Sequence, residues 1–399
     1  MSLLKVGSVI TLVMTILSTG RSVANETPGV TDTEIKIGQT MPYSGPVSGF
    51  SIAGKVQSAY FRMINDNGGI NGRKINLISL DDNFSPPKTV EQVRRLVESD
   101  EVLLIFGSLG TATNAAVQKY LNTKKVPQLF IASGASRWQD YKSSPWSMAW
   151  IPSYRTEARI MSKYVVEKIP NAKVAILYQA DDLGKDYLKG FEENFAGTSA
   201  TIVSKLSYDV MDPTVDSQVV SLAASGANVF FNISSPKFAA QAIRKSREIG
   251  WVPTQFLSSI AVSIAAVLRP AGLDNSTGLM SLAYTKTTFD PQWENDLGMK
   301  EYLAFMAKYL PEGDLADTTA IMAYSAAQTM VEVLKACGND LSRTNVMAKA
   351  TSLKNLTLPL LLPGISISTS PTDYVLIKKE QMRRFNGKGW ESVGELIEE

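Results

Sequence analysis

The sequence contains no histidine and only one cysteine among its 399 residues. Without histidine, the chain cannot build a Ser-His-Asp or Cys-His catalytic centre, or a zinc site with imidazole ligands. The single cysteine, Cys337, can form neither an internal disulfide nor a CxxC motif. We therefore expect no metal, no cofactor and no enzymatic activity. We expect Cys337 to be buried and inert, in a helix that ends at Gly338.

The chain also lacks an excess of charge of either sign. It has 40 Lys and Arg against 38 Asp and Glu. Cleavage after Ala24 would remove Lys5 and Arg21 and leave 38 residues of each sign. A surface without a basic excess cannot neutralise many phosphates, so nucleic acid and anionic membranes are not expected partners.

No apolar run reaches the roughly 20 residues that a membrane-spanning helix needs. The first 24 residues instead resemble a secretory signal peptide, with Lys5, an apolar run from Val6 to Leu17, and the small residues Ser22 and Ala24. The alternative is a disordered or membrane-anchoring N-terminus. We expect residues 1–24 to be removed and the mature protein to be a soluble monomer in the periplasm.

From Glu34 onward, short apolar runs alternate with helix-periodic stretches. Nearly continuous apolar runs are typical of strands buried on both faces of a parallel sheet. The predicted strands are residues 35–38, 75–78, 103–106, 128–131, 174–178, 229–232 and 255–257. Helices are predicted over residues 90–97, 115–121, 157–167 and 238–249. This alternation predicts an α/β fold of right-handed βαβ units, with helices on both faces of open sheets.

The length favours two Rossmann-like lobes rather than one sheet. Breaks in the pattern at residues 150–153, 278–285 and 358–364 predict three crossings between the lobes. The predicted division is a signal peptide at 1–24, a first lobe of 33–150 plus 284–359, and a second lobe of 151–283 plus 360–399. In the tail, apolar residues 375–377 and 381–385, a turn at 386–389 and the run from Trp390 predict a hairpin.

Two turns at the carboxyl ends of predicted strands are rich in glycine and hydroxyls. Residues 107–114 include Ser108, Thr111 and Thr113, and the second turn is residues 132–136. Ligands of open parallel sheets bind at these strand ends, where free N–H groups at a helix start favour an anion. The alternative is that these side chains only cap helices. Since no GxxxxGK[ST] motif occurs, we predict that the two turns hold a small carboxylate rather than a phosphate.

Acidic clusters lie at Asp81-Asp82, at Asp181-Asp182, and at Asp209 and Asp212. A metal site or a carboxylate pair for acid-base chemistry is conceivable at these places. Aspartate after a strand more commonly caps the next helix or binds loop backbone. We therefore predict structural roles for these carboxylates.

Several motifs occur in a characteristic order along the chain. They are Ile35-Lys36-Ile37-Gly38 followed by Ser44-Gly45-Pro46, the INDNGGINGR stretch at 64–73, the two turns just described, and Asp182-Leu183-Gly184-Lys185. In this order the sequence resembles the type I periplasmic solute-binding proteins of ABC importers, in the branch typified by leucine/isoleucine/valine-binding proteins. The resemblance covers nearly the whole chain after Glu34.

This resemblance implies two α/β lobes that are joined by a three-strand hinge and close over a ligand, with an inner-membrane ABC permease as partner. It implies that Thr111, Thr113, Gly134 and Ser136 lie where the family holds the ligand's carboxylate. It also implies that Phe50 covers the ligand from the first loop, unless this ring only packs under the loop.

The sequence departs from the family where amino-acid binders hold the ligand's ammonium. The corresponding positions are Tyr154, Leu183 and Ile260, none of which is charged. A buried ammonium without a counter-charge costs several kcal/mol in desolvation. We therefore predict a non-amino-acid carboxylate with an aromatic or other apolar body. The expected ring surface is Phe50, Trp138, Trp150 and Tyr154, although Trp150 and Tyr154 are equally suited to packing the hinge.

The sequence thus predicts a solute-binding protein of a branched-chain amino acid-type ABC transporter that captures a small organic carboxylate. The alternatives are an amino-acid or amide binder of the same family, a periplasmic ligand sensor, and an exported enzyme that uses Asp82 and Asp182. We further expect Thr111, Thr113 and Ser136 to face one cavity, with no acid placed opposite to neutralise a cation.

Overall fold

The computed structural model describes residues 27–398, which form two β-sheets. The predicted signal peptide, residues 1–24, lies outside the described residues. The strands are β1 Glu34–Met41, β2 Lys74–Asp81, β3 Leu104–Phe106, β4 Gln128–Ile131, β5 Ser147–Ala149, β6 Lys173–Gln179, β7 Thr201–Tyr208, β8 Val229–Ile233, β9 Thr254–Leu257, β10 Met280–Ala283, β11 Lys379–Phe385 and β12 Trp390–Glu398.

Twelve α-helices are found in the described part of the chain. They are α1 Ile52–Asp66, α2 Pro86–Glu98, α3 Thr111–Lys124, α4 Tyr154–Lys168, α5 Asp182–Phe195, α6 Asp216–Ala224, α7 Pro236–Glu248, α8 Arg269–Ala271, α9 Leu273–Ser276, α10 Leu297–Tyr309, α11 Thr318–Ala336 and α12 Arg343–Ala350. Across residues 27–398, none of these helices combines the length and apolar character needed to span a membrane.

The first sheet has five parallel strands in the order β2-β1-β3-β4-β5. Successive side chains of a strand point to opposite faces, and β3 is apolar at every position. Ile105 packs with α2 and α3 on one face, whereas Leu104 and Phe106 join the core that contains α1 and α11 on the other. The continuous apolar run therefore reflects helices on both faces of the sheet.

The second sheet has seven strands in the order β12-β11-β10-β9-β8-β6-β7. β6 to β10 run parallel, and the β11–β12 hairpin joins β10 antiparallel. The predicted hairpin turn is confirmed: Asn386 Oδ1 accepts the backbone N–H groups of Lys388 and Gly389, both at 2.9 Å. Because of this pairing, the C-terminal segment lies beside β10 within the second lobe.

The chain passes between the two sheets three times in the described residues. β1 to β5 build the first sheet and β6 to β10 the second. The chain then returns to place α11 against α1, where the rings of Tyr60 and Tyr324 lie 4.9 Å apart, before β11 and β12 complete the second sheet. Two α/β lobes with interleaved sequence segments result.

Residues 353–374 lie against the first lobe. The Tyr374 hydroxyl donates to the carbonyl of Pro145 at 3.0 Å, and the Thr369 hydroxyl donates to the carbonyl of Ala350 in α12 at 2.8 Å. The lobe boundaries drawn from the sequence stay predictions. These contacts favour a third crossing just before Lys379 rather than at residue 360.

All seven predicted parallel strands coincide with strands of the structure, and the four predicted helices coincide with α2, α3, α4 and α7. The sequence analysis missed β5, β7 and β10. β7 is an edge strand with alternating exposure and therefore has no apolar run, and β5 and β10 are only three and four residues long. The strand predicted at 375–377 is wrong, since these residues are irregular.

Cys337 follows the last residue of α11 and is 6% exposed. Burial raises the pKa of its thiol to about 11. Since the thiolate is the reactive form, we expect the native protein to react negligibly with an aromatic disulfide reagent at pH 8. One thiol per chain should react after unfolding in guanidinium chloride, measured by absorbance. Rapid reaction of the native protein would show that Cys337 is accessible.

Candidate functional site

A cavity lies between the two lobes, at the carboxyl ends of both sets of strands. Most of its wall is apolar or aromatic: Val47, Phe50, Phe84, Leu109, Ala132, Ile151, Tyr154, Leu183, Ile260, Val262, Ala283, Tyr284 and Met322. The remaining lining residues are Gly110, Thr111, Gln179, Ser235, Ser259, Thr285, Thr318, Thr319 and Arg383. A largely apolar wall with a few polar groups is typical of small-molecule sites.

The first lobe approaches the cavity with a loop that requires glycine. Gly110 has φ 108°, and a Cβ at this position would lie 2.4 Å from the Phe84 ring. The loop leads into α3, whose first residue, Thr111, lines the cavity. The Thr111 hydroxyl is already hydrogen-bonded to the Ser133 hydroxyl at 2.8 Å.

The structure brings together half of the site residues predicted from the sequence. Phe50, Thr111, Tyr154, Leu183 and Ile260 line the cavity. The other predicted residues are not among the lining residues, and they are Ser108, Thr113, Gly134, Ser136 and Trp150. A ligand contact remains a prediction for each of the ten.

The hydroxyls of the two glycine-rich turns serve contacts within the protein. Ser108 Oγ accepts the N–H of Thr40 at 3.0 Å, and Thr113 Oγ1 donates to the carbonyl of Leu109 at 2.9 Å. Ser136 Oγ donates to Asp186 at 2.9 Å. The expectation that Thr111, Thr113 and Ser136 share one cavity is therefore wrong for Thr113 and Ser136.

Gly134 and Trp150 pack where the chain first crosses between the lobes. A Cβ on Gly134 would lie 2.1 Å from the carbonyl oxygen of Pro152. The Trp150 indole donates to Thr329 Oγ1 at 2.9 Å, and its ring lies 6.0 Å from that of Tyr284. Of the two readings open for Trp150, these contacts favour packing at the crossing.

The acidic clusters bind backbone, as predicted. Asp181 caps α5 by accepting the N–H of Leu183 at 3.0 Å. Asp82 accepts the N–H of Phe84 at 3.0 Å and the Thr89 hydroxyl at 2.9 Å. No aspartate or glutamate is found among the lining residues of the cavity within the described chain.

Arg383 lines the cavity and was missed by the sequence analysis. It lies on β11, and its side chain is only 5% exposed. The guanidinium carbon lies 4.7 Å from the centre of the Trp390 ring, which is on the paired strand β12. A lone arginine in a strand has no signature in the sequence. The antiparallel pairing of β11 with β10 is what brings it to the cavity.

The charge of Arg383 is retained despite its burial. Desolvation lowers the pKa of Arg383 to about 10, while the nearby Tyr284, Glu157 and Glu380 oppose this effect. The group is therefore a cation at neutral pH. In the part of the chain that the structure describes, the Arg383 Nε has no hydrogen-bond partner.

Glu157 lies behind the wall of the cavity and is fully buried. Its carboxylate accepts the Ser259 hydroxyl at 2.6 Å and the Ser259 N–H at 3.1 Å, and it also accepts the Tyr187 hydroxyl. Burial raises the pKa of Glu157, and these hydrogen bonds oppose that shift. The carboxylate is thus satisfied by donors of the protein itself.

Comparison with known proteins identifies the family. The family model described as periplasmic binding protein matches residues 34–374. The chain belongs to the periplasmic binding protein family. The resemblance drawn from the sequence motifs is therefore confirmed.

This periplasmic binding protein is similar to Leu/Ile/Val-binding protein homolog 1 of Brucella abortus (strain 2308), with 24% identity over 318 residues, 77% of this chain and 80% of the relative. A branched-chain amino acid ABC transporter protein of Thermus thermophilus, solved with valine, has a TM-score of 0.83 at 14% identity and covers 93% of this chain and 98% of that one.

An ABC transporter solute-binding protein of Rhodopseudomonas palustris BisB5, solved with 3,4-dihydroxybenzoic acid, has a TM-score of 0.77 at 18% identity and covers 92% and 97% of the two chains. At these identities the structural likenesses establish the shared fold of two α/β lobes with parallel sheets. Members of the family bind small-molecule ligands outside the cytoplasm and work with ABC permeases.

The lobes of this periplasmic binding protein are in direct polar contact across the cleft. The backbone N–H and hydroxyl of Ser136 both donate to the Asp186 carboxylate, at 2.6 and 2.9 Å. One helical turn earlier on α5, Asp182 pairs with Arg137 at 2.9 Å. Partial burial raises the pKa of Asp186, and the hydrogen bonds of Ser136 limit this shift. These contacts stabilise a closed arrangement.

We expect Asp186→Asn to weaken the closed arrangement, since a neutral amide would replace the charged acceptor of the Ser136 N–H and hydroxyl. Hydrogen bonds to charged groups contribute about 1.5–3 kcal/mol, so the ligand-free protein should have a larger radius of gyration in small-angle X-ray scattering. Asp182→Asn is the matched control, because partly exposed ion pairs contribute roughly 0–1 kcal/mol. Identical scattering from wild type and Asp186→Asn would contradict a stabilising role for this contact.

Proposed function

We propose that this chain is the solute-receiving component of an ABC importer and that it captures a small organic carboxylate with an aromatic or other apolar body. The observation that carries the proposal is the composition of the inter-lobe cavity. Its wall is mostly apolar and contains a cation, and no carboxylate is found among its lining residues in the described chain.

The apolar part of the wall suits a hydrophobic ligand body. Phe50 and Phe84 come from the first lobe, Tyr154 begins α4 in the second lobe, and Tyr284 follows β10 where the chain crosses between the lobes. Burying apolar surface contributes roughly 25 cal/mol per Å², and aromatic pairs in offset or edge geometry add about 0.5–1.5 kcal/mol. An aromatic acid that fills this space would gain from both effects.

The lack of a lining carboxylate argues against a zwitterionic amino acid. A ligand ammonium in this cavity would lose its water without gaining a counter-ion, which costs several kcal/mol. Glu157 follows the lining residue Tyr154 on α4 and is fully buried. Its carboxylate already accepts three hydrogen bonds from the protein. A ligand that carries a carboxylate but no ammonium does not incur this desolvation cost.

The similar solved proteins bind ligands of both kinds. The Thermus thermophilus protein holds valine, and the Rhodopseudomonas palustris protein holds 3,4-dihydroxybenzoic acid. The fold therefore accommodates both classes, and the residues of the individual cavity decide between them. In this chain the lining residues support the second class.

Calorimetric titration of the mature protein with two sets of compounds tests this proposal. The carboxylates are benzoate, 4-hydroxybenzoate, 3,4-dihydroxybenzoate, hexanoate and octanoate, and the amino acids are leucine, isoleucine, valine and phenylalanine. We expect at least one carboxylate to bind at least about 100-fold more tightly than any of these amino acids, since each 1.4 kcal/mol is a factor of ten. Binding of leucine or valine with no response to the carboxylates would refute the ligand class.

Recovery of the bound compound distinguishes binding from catalysis. After prolonged incubation with a carboxylate that binds, we expect mass spectrometry to return the compound unchanged. A converted product would instead indicate an exported enzyme.

A further inference from the structure

We propose that Arg383 binds the ligand's anionic headgroup from the second lobe, so that the main charge contact comes from β11 and not from the hydroxyl-rich turns of the first lobe. This inference rests on the proposed function, in which the ligand is an organic carboxylate. It assigns the specificity for the carboxylate to one named side chain.

The first support is that the Nε atom of Arg383 lacks a hydrogen-bond acceptor. Its side chain is 5% exposed, and Nε has no hydrogen-bond partner in the described residues. A guanidinium carries five N–H donors, and a buried charged group without acceptors is costly. A carboxylate in the adjoining cavity would supply two acceptor oxygens in the geometry that matches the guanidinium fork.

The second support is that Arg383 is held rigidly in the wall of the cavity. Its guanidinium stacks on Trp390 at 4.7 Å, and the Trp390 indole is fixed by donating to the carbonyl of Val262 at 2.9 Å. The backbone of Arg383 lies between two antiparallel neighbours, with Ser281 and Ser392 as its register partners. A fixed donor loses little entropy when it binds a ligand.

The third support concerns the acids near Arg383. Glu157 and Glu380 both influence the guanidinium through space and favour its charged form. Glu157 directs its oxygens to Ser259 and Tyr187. Both carboxylates therefore lower the cost of the buried cation, and Glu157 does so while its own oxygens are engaged by Ser259 and Tyr187.

The arrangement of hydroxyl groups in the first lobe is consistent with this role of Arg383. Those of Thr113 and Ser136 are engaged within the protein, whereas Thr318 and Thr319 line the cavity at the start of α11. Such groups suit the other end of the ligand, such as a phenolic hydroxyl.

The test compares carboxylates with their neutral amides. Benzoate, 3,4-dihydroxybenzoate and octanoate are each titrated beside benzamide, 3,4-dihydroxybenzamide and octanamide, using wild type and Arg383→Gln. For a carboxylate that binds wild type, we expect Arg383→Gln to reduce its affinity about 100-fold or more, as for other buried charge pairs. The affinity for the matching amide should change less than about threefold, because the amide carries no charge.

Arg384→Gln is the matched control. Arg384 is the next residue of β11, and it is exposed, so both affinities should stay at the wild-type values. Circular dichroism and thermal unfolding establish that each variant is folded. If Arg383→Gln does not fold, Arg383→Lys keeps the charge but loses the bidentate fork, and we expect about a tenfold loss that is confined to the carboxylate.

The outcomes separate the two proposals. If wild type binds a carboxylate and Arg383→Gln binds it equally well, or loses carboxylate and amide alike, the role of Arg383 is refuted while the proposed function stands. If wild type binds none of the carboxylates, the proposed function fails, and the role of Arg383 fails with it.

Discussion

The site depends on a constraint of parallel sheets, namely that all their strands end at the same edge. In the first lobe, the segments after β3 and β4 bring Thr111 and Ala132 to the cavity. In the second lobe, Gln179 ends β6, and Ser235 and Ser259 follow β8 and β9 in the same way. Because these two edges face each other, residues that are distant in sequence surround one enclosed space.

Within that space, we propose that the sign of the buried charge governs what is bound. Charges interact more strongly where water is excluded, so a single guanidinium in an apolar wall has a large effect on selectivity. Arg383 remains cationic despite its burial, and Trp390 holds it in place. The fully buried Glu157 is satisfied by Ser259 and Tyr187, and it therefore does not offer a site for an ammonium.

The polar turn around Ser136 illustrates how one chemistry can serve either of two purposes. Its hydroxyl and N–H suit an anion, and they do bind one, but the anion is the carboxylate of Asp186 from the other lobe. Contacts of this kind add to the stability of the closed arrangement. A ligand that touches both lobes shifts the population further in the same direction, in proportion to its preference for that arrangement.

Much of the architecture was predictable from the sequence, because buried parallel strands must be apolar along their whole length and glycine-rich turns must follow them. Local patterns such as Leu104 to Phe106 or Asn386-Gly387 therefore indicated strands, helices, the hairpin and the family. They also identified Phe50, Thr111, Tyr154, Leu183 and Ile260, which line the cavity.

The function of individual polar groups could not be predicted in this way, since it depends on which partner arrives from elsewhere in the chain. Ser136 and Thr113 find partners inside the protein, whereas Arg383 reaches the cavity only because β11 pairs with β10. The sequence by itself determined the strands, the turns and the apolar character of the cleft. Only the tertiary structure decided which charged side chain lines the cavity, because long-range strand pairing and burial set the position of that charge.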